Sequence, residues 1–144
     1  SDNGISERTG REKTLAAYGS MTYAGLKSMI YANLKKDDPR VKAAIEWASK
    51  NYTVDENPGM GTAGLYYYIQ TFAKAHAVLG SENVTDKDGK VHNWRQDVVK
   101  KLLETQKGEG EWVNENGRWM ESNPELVTCY NLLSLELALA PYLK

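Results

Sequence analysis

The chain has 144 residues, enough for one domain or part of a larger one. Its 18 Lys and Arg against 19 Asp and Glu leave a formal net charge of −1, which argues against a basic nucleic-acid surface and predicts no nucleic-acid partner. A hydrophobic fraction of 41% with 26% charged residues excludes chain-wide disorder and suits a soluble globular protein.

No apolar run approaches the ~20 residues needed to span a bilayer, so no membrane span is expected. A single Cys excludes an internal disulfide framework and any multi-cysteine zinc site; no metal and no cofactor are predicted. The chain opens without Met and without a signal-peptide pattern, so Ser1 reads as a processed or cut start. The compartment stays open between a cytoplasmic and an exported bacterial setting.

Residues 1–17 are polar and charged and are expected to form a mobile arm with a short helical turn around 13–17. Helical periodicity then dominates residues 18–144. A first helix is expected over 21–34, capped by Ser20, with Tyr23, Leu26, Met29, Ile30 and Leu34 on one face. Asp38-Pro39 is a helix start, because Asp accepts the orphan amides and Pro at the first position has none to lose. That second helix is expected over 39–51.

A turn at 55–61 (Asp-Glu-Asn-Pro-Gly-Met-Gly) precedes a third, nearly all-apolar helix over 62–79, stopped by Gly80. Residues 81–93 form a polar excursion in which Asp88-Gly89 closes a tight hairpin. The spacing of Val98, Val99, Leu102 and Leu103 predicts a fourth helix over 93–105. A Gly- and Glu-rich loop follows over 106–123. Asn123-Pro124 then repeats the cap-and-proline start of a fifth helix over 124–139, ended by Pro141.

The second and fourth helices are amphipathic, whereas the first, third and fifth are apolar on most of their circumference. An outer layer facing water and an inner layer packed on both sides would produce this contrast. The segments 41–79 and 98–139 each read as amphipathic helix, turn and apolar helix. A period of about 40 residues marks a helical-hairpin array. Two and a half hairpins do not complete one, which predicts upstream repeats of the same chain or a homo-oligomer partner.

One stretch carries a family likeness. Leu103-Glu104-Thr105-Gln106-Lys107-Gly108-Glu109-Gly110-Glu111-Trp112 resembles the glutamine–tryptophan repeat of squalene and hopene cyclases and of protein prenyltransferase β-subunits. Gln106 would bond the helix end or the loop backbone, or stack on Trp112. Thr128-Cys129-Tyr130-Asn131-Leu132-Leu133 is similar to that family's inner-helix pattern, and residues 19–26 resemble a further turn and inner helix. The likeness covers residues 18–142 and implies an α/α toroid with inner helices around a central cavity.

The family's reactive motifs are missing. Asp86-Lys87-Asp88-Gly89 lacks the last Asp of the cyclases' acidic cluster, and Val127 stands where the zinc prenyltransferases place an Asp two residues before the Cys. No catalytic or zinc residue is therefore carried over.

Other candidates have plainer readings. Cys129 is expected to be a buried structural thiol, because a nucleophile needs a neighbouring base; His76 is the residue that would supply one. His92 is expected at the surface. Residues 82–88 lack the register of a calcium loop.

The aromatic inventory is unusual: nine Tyr and four Trp against one Phe. Aromatics with a polar tip suit positions where one end is buried and the other meets water or a ligand. If alternate helices run in opposite directions, the inner-helix starts share one rim. That rim carries Met21, Tyr23, Asp55, Glu56, Met60, Tyr66, Tyr67, Trp119, Glu121, Asn123 and Tyr130. Tyr23, Tyr66, Tyr67, Trp119 and Tyr130 are the expected ligand-binding residues, and Glu56 and Glu121 the candidate general acids. The expectation is an all-α hairpin array of about five helices, a partial toroid that binds or processes an isoprenoid or other hydrophobic ligand, or a carbohydrate. Two alternatives stand beside it: a non-catalytic helical-repeat module for a protein partner, and part of a polysaccharide-lyase-like α/α toroid.

Overall fold

The structure, a computed structural model, describes residues 17–143, so the expected arm lies outside the described residues except for Ala17. Helix α1 spans Gly19–Tyr31. It ends three residues before the periodicity does because Asn33 takes the left-handed conformation, φ +62°. The amides of Asn33 and Leu34 fold back onto the Ile30 and Met29 carbonyls, a closure that Asn tolerates. Its start also differs from expectation. Ser20 does not cap the helix; its amide donates to Asn57 Oδ1 at 3.0 Å, so the cap comes from the turn before the third helix.

Helix α2 spans Pro39–Lys50, and Asp38 caps it by accepting the Arg40 amide at 2.9 Å. Helix α3 spans Leu65–Leu79, three residues shorter than expected. Gly64 precedes it and Gly80 follows it, both at positive φ (66° and 70°). The polar excursion forms strands β1 (Asn83–Thr85) and β2 (Val91–Asn93), antiparallel with Val84 opposite His92. Gly89 turns them at φ +80°. The described residues are thus mostly helical, with one small sheet. Helix α4 spans Trp94–Thr105 and α5 spans Pro124–Leu139, capped by Asn93 and Asn123 respectively. Short 3-10 turns cover Arg118–Met120 and Ala140–Tyr142.

Helix α3 lies between α1 and α5; α2 packs on α1, and α4 packs on α5 and α3. Ten of the 15 residues of α3 are buried. Its one Phe, Phe72, is the hub of an aromatic core. Rings of His76, Tyr23, Tyr52, Tyr68 and Trp94 surround it at centroid distances of 4.5, 5.2, 5.6, 5.9 and 6.4 Å.

Helix α3 is packed on two sides and largely buried, as expected of an inner helix, whereas α5 is not. Helix α5 buries one stripe, Val127, Asn131, Ser134 and Ala138, while Cys129, Leu132 and Leu133 are exposed. It has α3 and α4 for neighbours, and no described element covers its third side. Cys129 is therefore not the buried thiol expected. His76 lies in the aromatic core beside Tyr23, Phe72 and Trp94, so an exposed Cys129 has no paired base there.

The turn that carried the family likeness is stapled twice. Gln106 Nε2 donates to the Gly110 carbonyl at 2.8 Å, closing the loop. The buried Trp112 donates its Nε1 proton to the Leu102 carbonyl at 2.8 Å, sharing that acceptor with the Gln106 amide at 3.0 Å at the end of α4. Trp112 and the Gln106 backbone share the helix end, while the Gln106 side chain bonds the loop backbone.

Candidate functional site

Helices α1, α3 and α5 begin at one end of the molecule, and the loops there meet. Asn57 ties the start of α1 to the turn before α3: its Oδ1 accepts the Ser20 amide and its Nδ2 donates to the Ala63 carbonyl at 3.0 Å. Gly19 makes this approach possible. A Cβ there would lie 2.5 Å from Pro58 and 2.7 Å from the Tyr68 ring.

Glu121 does the same for α3 and α5. It is fully buried just ahead of α5, and its oxygens accept the amides of Tyr66 at 3.2 Å and Tyr67 at 2.8 Å. Asn114 Nδ2 adds a third donor at 2.8 Å. Gly64 has no side chain to cap α3, so a carboxylate from 54 residues further on supplies the cap, where the helix dipole favours negative charge.

Pinned by Glu121, the preceding turn holds a costly backbone. Trp119 and Met120 sit consecutively in the left-handed region, φ +55° and +66°. Non-glycine residues held there cost on the order of 1 kcal/mol or more each and persist only where their surroundings over-determine them. The Trp119 ring lies against Gly64, where a Cβ would come within 2.7 Å of it. The Arg118 guanidinium stacks on its face, 4.5 Å from the centroid.

The result is an aromatic mouth. Tyr18, Ser20 and Met21 from the start of α1, Tyr67 from α3, Trp119 from the turn and Tyr130 from α5 line a cavity of about 300 Å³. The Tyr67 and Tyr130 rings meet at 5.7 Å, inclined by 60°. Tyr67 is 37% and Trp119 44% exposed, so their faces are available. Partial burial first, and the nearby Glu121 charge second, push the Tyr130 hydroxyl above its usual pKa.

Of the five expected ligand-binding residues, Tyr67, Trp119 and Tyr130 come together here. Tyr23 and Tyr66 do not: both are buried in the core, Tyr23 against Tyr68, Phe72 and His76 of α3. Glu121 stands behind the cavity as a cap with both oxygens occupied, and Glu56 lies exposed in the loop before α3. The rim residue Asn123 caps α5, and Asp55 pairs with Lys101 at 2.9 Å on another face. Tyr18 and the seat at Gly64 escaped sequence reasoning, since no periodicity places loop residues in space, and Ser20 was expected only as a helix cap.

His92 is not at the surface as expected. Its Nε2 lies 2.8 Å from Asp86 and its Nδ1 3.4 Å from Asp97, and Tyr52 stacks on its ring at 4.3 Å. Asp86 also accepts the Asp88 and Lys90 amides, so the hairpin turn consumes the carboxylate that a cation would need. Tyr52 donates to Asp97 at 2.7 Å; burial and that carboxylate push its hydroxyl far above the usual range. Among the described residues no cluster of His, Cys, Asp or Glu is placed to hold a metal ion, and no helix is long and apolar enough to cross a membrane.

The chain matches no family model, and neither the curated proteins nor the solved structures contain a significant match to it.

Proposed function

We propose that residues 18–143 form an arc of an α/α toroid of the prenyltransferase and squalene-cyclase repeat type, and that the aromatic mouth binds an isoprenoid or other hydrophobic ligand. One observation carries the reading. Three partly exposed rings, Tyr67, Tyr130 and Trp119, converge from three separate segments on one cavity, and the segment holding Trp119 retains an unfavourable backbone to keep it there. Packing alone does not require an exposed indole on a strained turn, whereas a preorganised apolar pocket does. The reading is one of binding, since Glu121 is committed to its three N–H donors.

Titration with farnesol and, separately, with a neutral oligosaccharide, followed by tryptophan fluorescence, tests it. Farnesol is expected to change the emission, and Trp119→Ala to weaken binding roughly 30-fold, the loss typical of an aromatic anchor in a desolvated pocket. Silence with both ligands removes the proposal.

A second reading has its own observation. The bare apolar face of α5, with Cys129, Leu132 and Leu133, suits a helical-repeat module that packs on further repeats or on another protein. Leu132→Glu with Leu133→Glu is expected to abolish self-association or partner binding while leaving farnesol binding intact. If association survives the pair, this second reading falls.

A further inference from the structure

We infer that the aromatic mouth prefers an uncharged ligand over a diphosphate or other anion; this rests on the ligand-binding reading above. The starts of three helices meet at the mouth, and helix N-termini are ready-made anion sites when their amides are free. Here most are occupied; the Met21 amide in α1 has no acceptor among the described residues. In α1 the Gly19 amide donates to the Pro58 carbonyl at 2.8 Å and the Ser20 amide to Asn57. In α3 the Leu65 amide donates to the Thr62 carbonyl, the Tyr66 and Tyr67 amides to Glu121, and the Tyr68 amide to the Gly64 carbonyl. In α5 Pro124 has no N–H, the Glu125 and Leu126 amides donate to Asn123 Oδ1, and the Val127 amide donates to its carbonyl.

The side chains agree with the backbone. None of the six residues lining the cavity is charged. Arg118, stacked on the Trp119 ring, is not among the residues lining the cavity. The nearest fixed charge behind the wall is the Glu121 carboxylate, whose negative field repels an anion. What remains toward the cavity is ring faces, a thioether and hydroxyl tips: chemistry for an apolar body with at most a neutral hydrogen-bonding end.

The test is a matched pair, farnesol and farnesyl diphosphate, titrated into the full chain under the same salt and followed by tryptophan emission. Farnesol is expected to bind at least about tenfold more tightly. The cavity-wall substitution Met21→Lys is expected to raise the ratio of diphosphate to alcohol affinity by about tenfold. A diphosphate that binds the native chain as tightly as the alcohol overturns the inference and leaves the binding reading standing. Failure of both probes to bind overturns the binding reading and this inference with it.

Discussion

Glu121 Oε1 accepts the backbone amide of Tyr67 at 2.8 Å, across 54 residues of chain. This contact joins the loop before α5 to the first turn of α3, and it lies directly behind the wall of the aromatic mouth. It caps a helix that has glycine at its own capping position, and it anchors the turn carrying Trp119.

Removing the carboxylate should therefore cost stability and site order together. Glu121→Ala leaves the Tyr66 and Tyr67 amides without acceptors in a buried setting, a loss of about 2–3 kcal/mol. Chemical denaturation should show the loss, with a red-shifted Trp119 emission as the turn loosens. Glu121→Gln keeps an acceptor oxygen and should lose about half as much. An alanine variant as stable as the native chain would show that the cap is dispensable.

Met120 offers the opposite case. It is 68% exposed and sits at φ +66°, where its side chain adds crowding and no packing. Glycine takes this conformation freely. Met120→Gly should stabilise the protein, by about 0.5–1 kcal/mol after the added entropy of the unfolded chain is subtracted. A fall in midpoint temperature would mean that the turn is not strained.

Phe72 should be the least replaceable side chain of the core, since five aromatic rings surround it. Phe72→Ala should cost about 3–5 kcal/mol, and Phe72→Leu clearly less. Equal losses would mean that volume is irrelevant at this site.

Acid should weaken the fold through His76. Burial pulls its pKa from 6.5 down to about 4. The unfolded chain then binds a proton below pH 6.5 that the folded chain refuses until about pH 4. Stability is full above pH 6.5 and falls through that window, by about 3 kcal/mol from this group. Asp86 is held below its usual range chiefly by the His92 hydrogen bond, so its contribution is lost at lower pH still. Urea midpoints between pH 7 and 4 should slope downward in the native protein, and less steeply in His76→Gln. Parallel slopes would assign the acid sensitivity elsewhere.

Much of the scaffold was legible in the residues themselves. Asp38-Pro39 and Asn123-Pro124 start helices where they stand, Gly80 stops one, and Asp88-Gly89 turns the hairpin, because capping and turn chemistry act within a few residues. The two starts that were misjudged, those of α1 and α3, are capped from outside: by Asn57, 37 residues after Ser20, and by Glu121, 54 residues after Tyr67. No local window contains such a pair.

The aromatic site divides along the same line. Composition pointed to tyrosines and tryptophans with one wet end, and Tyr67, Trp119 and Tyr130 do meet at a cavity. Periodicity alone marks Tyr23, Tyr66 and Tyr67 as equivalent members of apolar helices. Only the packing of α3 between α1 and α5 sends Tyr23 and Tyr66 inward and leaves Tyr67 at the mouth. Sequence by itself determined which segments are helical and where short-range chemistry ends them. The tertiary structure alone decided which rings face a cavity and which carboxylate caps a helix, because both depend on side chains far apart in the chain and brought together by burial.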